Sequence, residues 1–167
     1  VVREPVELMD IFATVLALAG VEARHTHFAR DLTPQLRGAG GAPDRAVFAE
    51  GGYARHEPHC FEGDARRDVF ARSKTNIYYP KGYVQQAYPD SVGRAIMLRT
   101  ADAKLVYRPA GDSELYDLAA DPLELHNRYG LPEHAALQNQ LELRLLRWLA
   151  DTSDVVPFDE DPRGLKA

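Results

Sequence analysis

The sequence predicts an α+β fold: a small antiparallel sheet packed against a C-terminal helix, with a further helix ahead of it that needs a larger body around it. Three observations carry this. RAIMLRT (94–100) and AKLVYRP (103–109) are two short runs rich in strand formers, separated by Ala101-Asp102, which is hairpin spacing without the favoured Asn-Gly turn. Leu137, Leu141, Leu145, Trp148 and Leu149 recur at helical spacing behind Pro132. Between Pro5 and Gly20, ELMDIFATVLALAG is apolar almost all round.

In chain order, the first helix is expected to open at Pro5, whose missing N–H costs nothing in a first turn, and to stop at Gly20. Its polar positions Glu7, Asp10 and Thr14 form one narrow stripe. Asp10 and Thr14 are expected to satisfy local backbone or neighbouring polar groups. A helix apolar over most of its circumference must be covered on most sides, and the rest of the chain offers one other strong helix. It therefore reads as part of a larger body, the alternative being the centre of a small self-contained core.

Residues 21–45 read as a long connection, with a short helical turn in RDLTPQLRG and a flexible GAGGAP. AVFAE (46–50) is a short strand. Residues 51–93 are irregular, rich in glycine, proline and tyrosine. Long ordered loops are often functional, although a surface excursion would look the same. In the hairpin, Ile96 and Leu98 are assigned to one face, Leu105 and Tyr107 to another. SELYDL (113–118) is a third short strand. AADPLELHN turns sharply at Asp121-Pro122, with Asp121 and Asn127 expected to hold the turn through side-chain to backbone hydrogen bonds. Arg99 and Lys104 are expected to pair with Glu114, Asp117 or Glu124. Pro132 opens the last helix, Glu133 sits in its first turn, and the tail DTSDVVPFDEDPRGLKA reads as extended, able to wrap back on the parent protein.

Composition is that of an ordinary globular chain: 167 residues, 45% apolar and 27% charged, with a net charge of −5. The positive residues are scattered, which argues against nucleic acid or an anionic membrane as a partner. One cysteine excludes an internal disulfide. The longest apolar run, Leu8 to Ala19, is too short to span a bilayer and is interrupted by Asp10 and Thr14. The chain reads as soluble, with the cytoplasm favoured although the sequence leaves the compartment open. VVREPVELMD reads like the interior of a longer protein.

GGYARHEPHC (51–60) brings two histidines, a glutamate and the only cysteine within five positions. Zinc sites use such ligands, but a closed site needs four, normally from two separated places, and Pro58 keeps His56 and His59 off a shared helix face. A substrate rim and a plain polar loop remain open. His25 and His27 lie near Asp31, but the serines at 73, 91, 113 and 153 lack a G-x-S-x-G context, and a lone cysteine such as Cys60 is more often inert than nucleophilic. GAGGAP lacks the lysine of a phosphate-binding loop and reads as a linker. Tyr53, Tyr78, Tyr79, Tyr83 and Tyr88, with Phe61 and Phe70, offer either an aromatic wall or local packing.

Three segments resemble the sulfatases of the alkaline-phosphatase-like superfamily. VELMDIFATVLALAGV (6–21) is similar to the family's late helix, and RDLTPQL (30–36) to its Arg-Ser-Leu-x-Pro-Leu-Leu segment. Most specific is RTADAKLVYRPAGDSELYDLAADPLELHN (99–127), which resembles the C-terminal hairpin with its Glu-Leu-Tyr-Asp-Leu, Asp-Pro-x-Glu and Asn signature, followed by a helix ending in tryptophan-leucine as RLLRWL does here. The resemblance covers residues 5 to 150, loosely over 51–93. Ala13 departs from a common proline, and Ala29 and Asp31 from a glycine and a serine.

The resemblance implies that residues 1–44 end a sulfatase catalytic domain, contributing its last helix and a connection, that 45–151 form the C-terminal subdomain, and that 152–167 are an extended tail. Family members hydrolyse sulfate esters with a formylglycine made from Cys or Ser in a Cys/Ser-x-Pro-x-Arg motif. That motif is not in this chain. The resemblance thus places the nucleophile, the calcium and the sulfate-holding residues in an upstream part, and leaves no catalytic residue and no metal ligand here. The implied partners are the remainder of the catalytic domain and a small sulfate ester, with neither nucleic acid nor membrane. Tyr53, His56 and His59 are the candidates for the substrate rim, selecting the organic part of the ester. The same segments fit a phosphonate or phosphate ester hydrolase of this superfamily, and a free-standing binding module is the non-enzymatic alternative.

Overall fold

The computed structural model describes residues 4–54, 74, 75, 77, 79, 80 and 87–155. Helix α1 spans Asp10–Ala19 and the single turn α2 spans Thr33–Leu36. Four strands follow: β1 Val47–Gly51, β2 Ala95–Arg99, β3 Ala103–Tyr107 and β4 Glu114–Asp117. A 3-10 turn at Pro89–Val92 precedes β2, and another at Pro132–His134 runs into helix α3, Ala135–Thr152. The strands form one antiparallel meander in the order β1-β2-β3-β4.

One cross-strand row explains the core. Phe48 faces Leu98, Leu98 faces Leu105, and Leu105 faces Leu115. Leu98, Leu105 and Leu115 have no exposed surface. Helix α3 lays Leu141 and Leu145 on this row, with Leu137, Trp148 and Leu149 around them. Trp148 stacks on Phe48 at 4.5 Å between ring centroids and 4° between planes. Burying each of these leucines is worth about 1.5–3 kcal/mol, so the sheet and α3 stabilise each other. The predicted α+β arrangement of sheet and C-terminal helix is therefore present.

The hairpin faces differ from expectation. Ile96 opposes Tyr107 and Leu98 opposes Leu105, so all four project to one side. Directly opposed residues of an antiparallel pair share a face, and the three-residue connection Thr100–Asp102 sets that register. Thr100 closes it: its hydroxyl accepts from the Ala103 amide at 3.0 Å.

Helix α1 also begins later than Pro5 suggests. The Asp10 carboxylate takes the Glu7 amide at 2.8 Å, and the amides of Asp10, Ile11 and Phe12 bond the carbonyls three residues back. That tight turn competes with an earlier helical start. The end is as expected. Gly20 is left-handed (φ 66°); its amide reaches the Ala17 carbonyl and that of Val21 the Leu16 carbonyl, which closes the helix as a Schellman motif. Ahead of α2, the Asp31 carboxylate accepts from the Thr33 amide at 2.7 Å, which satisfies one of the amides that a helix start leaves without a partner.

Candidate functional site

Two places gather the polar chemistry of the described residues. The first is the stripe of α1. Asp10 is fully buried. Its carboxylate accepts the amides of Glu7 at 2.8 Å and Arg30 at 2.9 Å, and lies 2.6 Å from the Arg45 guanidinium. Burial alone pushes this carboxyl up, but the Arg30 and Glu7 amides and Arg45 outweigh it and hold it below the usual carboxylate range. Glu7 reaches both Arg45 at 3.1 Å and the Phe48 amide at 2.8 Å. The Thr14 hydroxyl donates to the Asp10 carbonyl at 2.6 Å and accepts the Leu32 amide at 2.9 Å.

This stripe stitches α1 to the 30–32 segment and to β1, so the helix turns its polar side inward. Its apolar residues consequently point out, as does Leu8 in the turn before it: Leu8 is 84% exposed, Ile11 57%, Val15 56% and Leu18 61%. Phe12 lies among them with His25 and His27, whose rings sit 5.4 and 5.5 Å from its own. The stripe and the roles of Asp10 and Thr14, satisfying local backbone or neighbouring polar groups, follow from the sequence, and both kinds of partner are present. The pairing of Arg45 with Glu7 does not follow from it. The available signal was an arginine just before the first strand, but nothing local couples positions 38 residues apart.

The second place is the neck of the 54–88 excursion. Tyr53 pairs with Gly93 through an isolated bridge; its amide donates to Val92 at 2.9 Å and its carbonyl accepts from Arg94 at 3.0 Å. Gly52 makes this closure possible. It holds φ 77°, and a Cβ there would meet the Gly93 oxygen at 2.3 Å. Tyr53, half-buried, thus stands where the excursion leaves and returns. His56 and His59, the other rim candidates, lie outside the described residues, as do Cys60, Phe61, Phe70, Tyr78 and Tyr83. Tyr88, at the returning end, is 65% exposed.

Around the sheet the polar residues are structural. Asn127 accepts the Leu115 and Tyr129 amides at 3.0 and 2.9 Å and donates to the Ser113 carbonyl at 3.0 Å; Asp121 accepts the His126 amide at 2.8 Å. Both hold the turn as expected. Lys104 pairs with Glu124 at 2.5 Å, whereas Glu114 is paired by Arg108 at 2.5 Å rather than by Arg99. The AGD turn after β3 brings the chain back to Arg108, whose amide donates to the Ser113 hydroxyl at 3.0 Å and whose guanidinium donates to the Asp112 carbonyl at 2.8 Å. Among the described residues no cluster of three His, Cys, Asp or Glu side chains could hold a metal, and no helix is long and apolar enough to cross a membrane.

The family model described as N-sulphoglucosamine sulphohydrolase, C-terminal, matches residues 54–151. The chain belongs to this family. It is the C-terminal part of a sulfatase-type fold of the alkaline-phosphatase-like superfamily. Solved structures agree with the architecture. A phosphonate monoester hydrolase from Silicibacter pomeroyi is 27% identical with a TM-score of 0.62, over 90% of this chain and 26% of that one. A phosphonate monoester hydrolase from Agrobacterium radiobacter is 23% identical, TM-score 0.58, over 85% and 24%. A 2-O GAG sulfatase is 20% identical, TM-score 0.58, over 93% and 27%. The last two show the fold alone. The chain spans about a quarter of the length of these structures. No curated protein matches it.

Proposed function

We propose that this chain is the C-terminal portion of a sulfuric ester hydrolase, completing its fold and shaping its substrate pocket while the bond-breaking groups lie in the rest of the protein. The observation that carries this is the inverted helix. A helix that buries Asp10 and Thr14 and exposes Ile11, Val15 and Leu18 is stable against water only if that apolar side is covered. The remainder of the catalytic domain is the cover that fits, since relatives of the same fold are four times longer. Residues 1–44 then close that domain, 45–151 form the subdomain and 152–167 the tail. The calcium and the formylglycine residue implied by the family belong to the remainder, and the described residues here offer no donor set for the metal.

Tyr53, His56 and His59 would sit at the pocket rim and select the organic part of the ester by shape and hydrogen bonding. Tyr53's place at the neck of the excursion supports this. A phosphonate monoester hydrolase is the second reading, favoured by the 27% identity with the Silicibacter pomeroyi enzyme; this region does not set the leaving-group chemistry.

The test uses the longer protein containing this chain. Its coding sequence is read for a Cys/Ser-x-Pro-x-Arg motif, and the purified enzyme is assayed on sulfate esters and phosphonate monoesters. Sulfate ester turnover with that motif present supports the proposal, and preference for phosphonates supports the second reading. Absence of both activities removes the hydrolase reading. Within an active enzyme, His56→Ala and His59→Ala should raise KM more than they lower kcat; unchanged KM across several substrates removes the rim.

A further inference from the structure

A groove of about 330 Å³ opens beside the outer edge of β1. Its floor is aromatic. Phe48 on β1 and Trp148 on α3 stack at 4.5 Å between ring centroids, and both side chains stay half-buried. Met9 and Phe28 add an apolar wall, 47% and 44% exposed. Two carboxylates frame this lining. Glu50 follows Phe48 on the same face of β1, and Asp151 lies about one turn beyond Trp148 on α3. Neither has an ion-pair partner among the described residues. Glu7, the third acid of the lining, is already committed to Arg45 and the Phe48 amide. Arg30 is the one cation of the lining, so the two unpaired acids outnumber it.

We propose that this groove is a binding site for a small organic cation: an ammonium group carried on an apolar body, with the body against Phe48 and Trp148 and the charge toward Glu50 and Asp151. The inference does not depend on the hydrolase reading. The floor argues for it first. Aromatic rings attract an ammonium through their quadrupole, and more strongly once its water is partly removed. Charge argues next. Glu50 and Asp151 are exposed, so they supply counter-charge at the rim while remaining solvated themselves. An anion is repelled by the same two groups, and a neutral ligand leaves them unused. Size agrees, because small-molecule sites are clefts of about 300–1,000 Å³, mostly apolar with a few polar groups. An added β-strand fits less well. The Phe48 amide on the open edge of β1 already donates to Glu7 at 2.8 Å, and a paired strand would have to displace that carboxylate.

The longer protein containing this chain is titrated with benzyltrimethylammonium by isothermal calorimetry, with benzyl alcohol as the uncharged comparison. Saturable binding of the cation is expected, weakening as salt is added. The double variant Glu50→Gln/Asp151→Asn should bind it about tenfold more weakly, and circular dichroism verifies that the variant is folded. Three results overturn the proposal. Absence of saturable binding means that the groove takes no cation in the longer protein. Unchanged affinity in the double variant puts the cation elsewhere. Equal binding of benzyl alcohol makes the groove an apolar cleft without charge selection. Sulfate ester turnover is followed separately: turnover without cation binding removes this site alone, and cation binding without turnover leaves the site standing and removes the hydrolase reading.

Discussion

The guanidinium of Arg45 lies 2.6 Å from the carboxylate of Asp10, with 4% and 0% of the two side chains exposed. It joins the turn before β1 to the first residue of α1. Removing one member of such a pair leaves a charge buried without its partner, which costs about 3–5 kcal/mol. Arg45→Met is therefore expected to lower stability by that order in urea unfolding at neutral pH. The double variant Arg45→Met/Asp10→Asn should lose less than the sum of the two single changes, because it leaves no unpaired charge.

The same pair sets an acid limb. The folded Asp10 carboxyl titrates below its ordinary value of 3.8. A depressed carboxyl contributes stability that is present above its unfolded value and is lost as pH falls through its folded one. Unfolding midpoints should drop as pH falls below about 3.8, and Asp10→Asn should flatten that drop. Glu114 is also held low, where burial raises it but Tyr116 and Arg108 outweigh that, so part of the limb should survive.

Two leucines on α3 separate packing from propensity. Leu141 is 2% exposed and Leu146 is 62% exposed. Leu141→Ala should cost about 2–5 kcal/mol through lost transfer energy and a cavity against Leu105 and Leu115, whereas Leu146→Ala should stay within about 0.5 kcal/mol. Chemical denaturation of the two single variants checks this. Equal costs would mean that α3 does not dock on the sheet as described.

Tyr116 offers an alkaline readout. Burial first, and then the Glu114 carboxylate 2.8 Å from its hydroxyl, push the phenol up to about 12 from 10.0. A raised phenol contributes stability that is whole below its unfolded value and is lost as pH rises through the folded one, here between 10.0 and about 12. Ultraviolet titration should show Tyr116 ionising late, alongside Tyr129, which burial and the Glu142 carboxylate also push up; Glu114→Gln should move the Tyr116 component back toward 10.0.

Gly52→Ala tests the neck. The left-handed φ and the Gly93 oxygen in the way of a Cβ together predict a loss of at least about 1–3 kcal/mol. Hydrogen exchange should show the Tyr53 and Arg94 amides losing protection before the β2–β3 hairpin does.

Elements with a local cause were legible from the residues alone. The β2–β3 spacing, the leucine-tryptophan stripe of α3, the stop at Gly20 and the Asp121–Asn127 turn each depend on residues close in sequence, and the structure has all of them. The start of α1 was misread because Pro5 is a sound local signal overruled by the Asp10 side chain, and the hairpin faces because face assignment depends on which residues oppose. Of the candidate site, only Tyr53 falls within the described residues, and its position follows from a close backbone approach to Gly93 that no periodicity announces.

The amino-acid order by itself determined the element types, the sheet-and-helix class and the family signature in residues 99–127, because helix stripes, strand runs and turn residues act over a few positions. Only the tertiary structure decided which way α1 faces. Its stripe of Glu7, Asp10 and Thr14 could have met water. It turns inward because Arg45 and the amides of Arg30, Leu32 and Phe48, all distant in sequence, converge there as partners. A buried carboxylate is tolerated only where such donors meet it, and that meeting turned the apolar side of the helix outward.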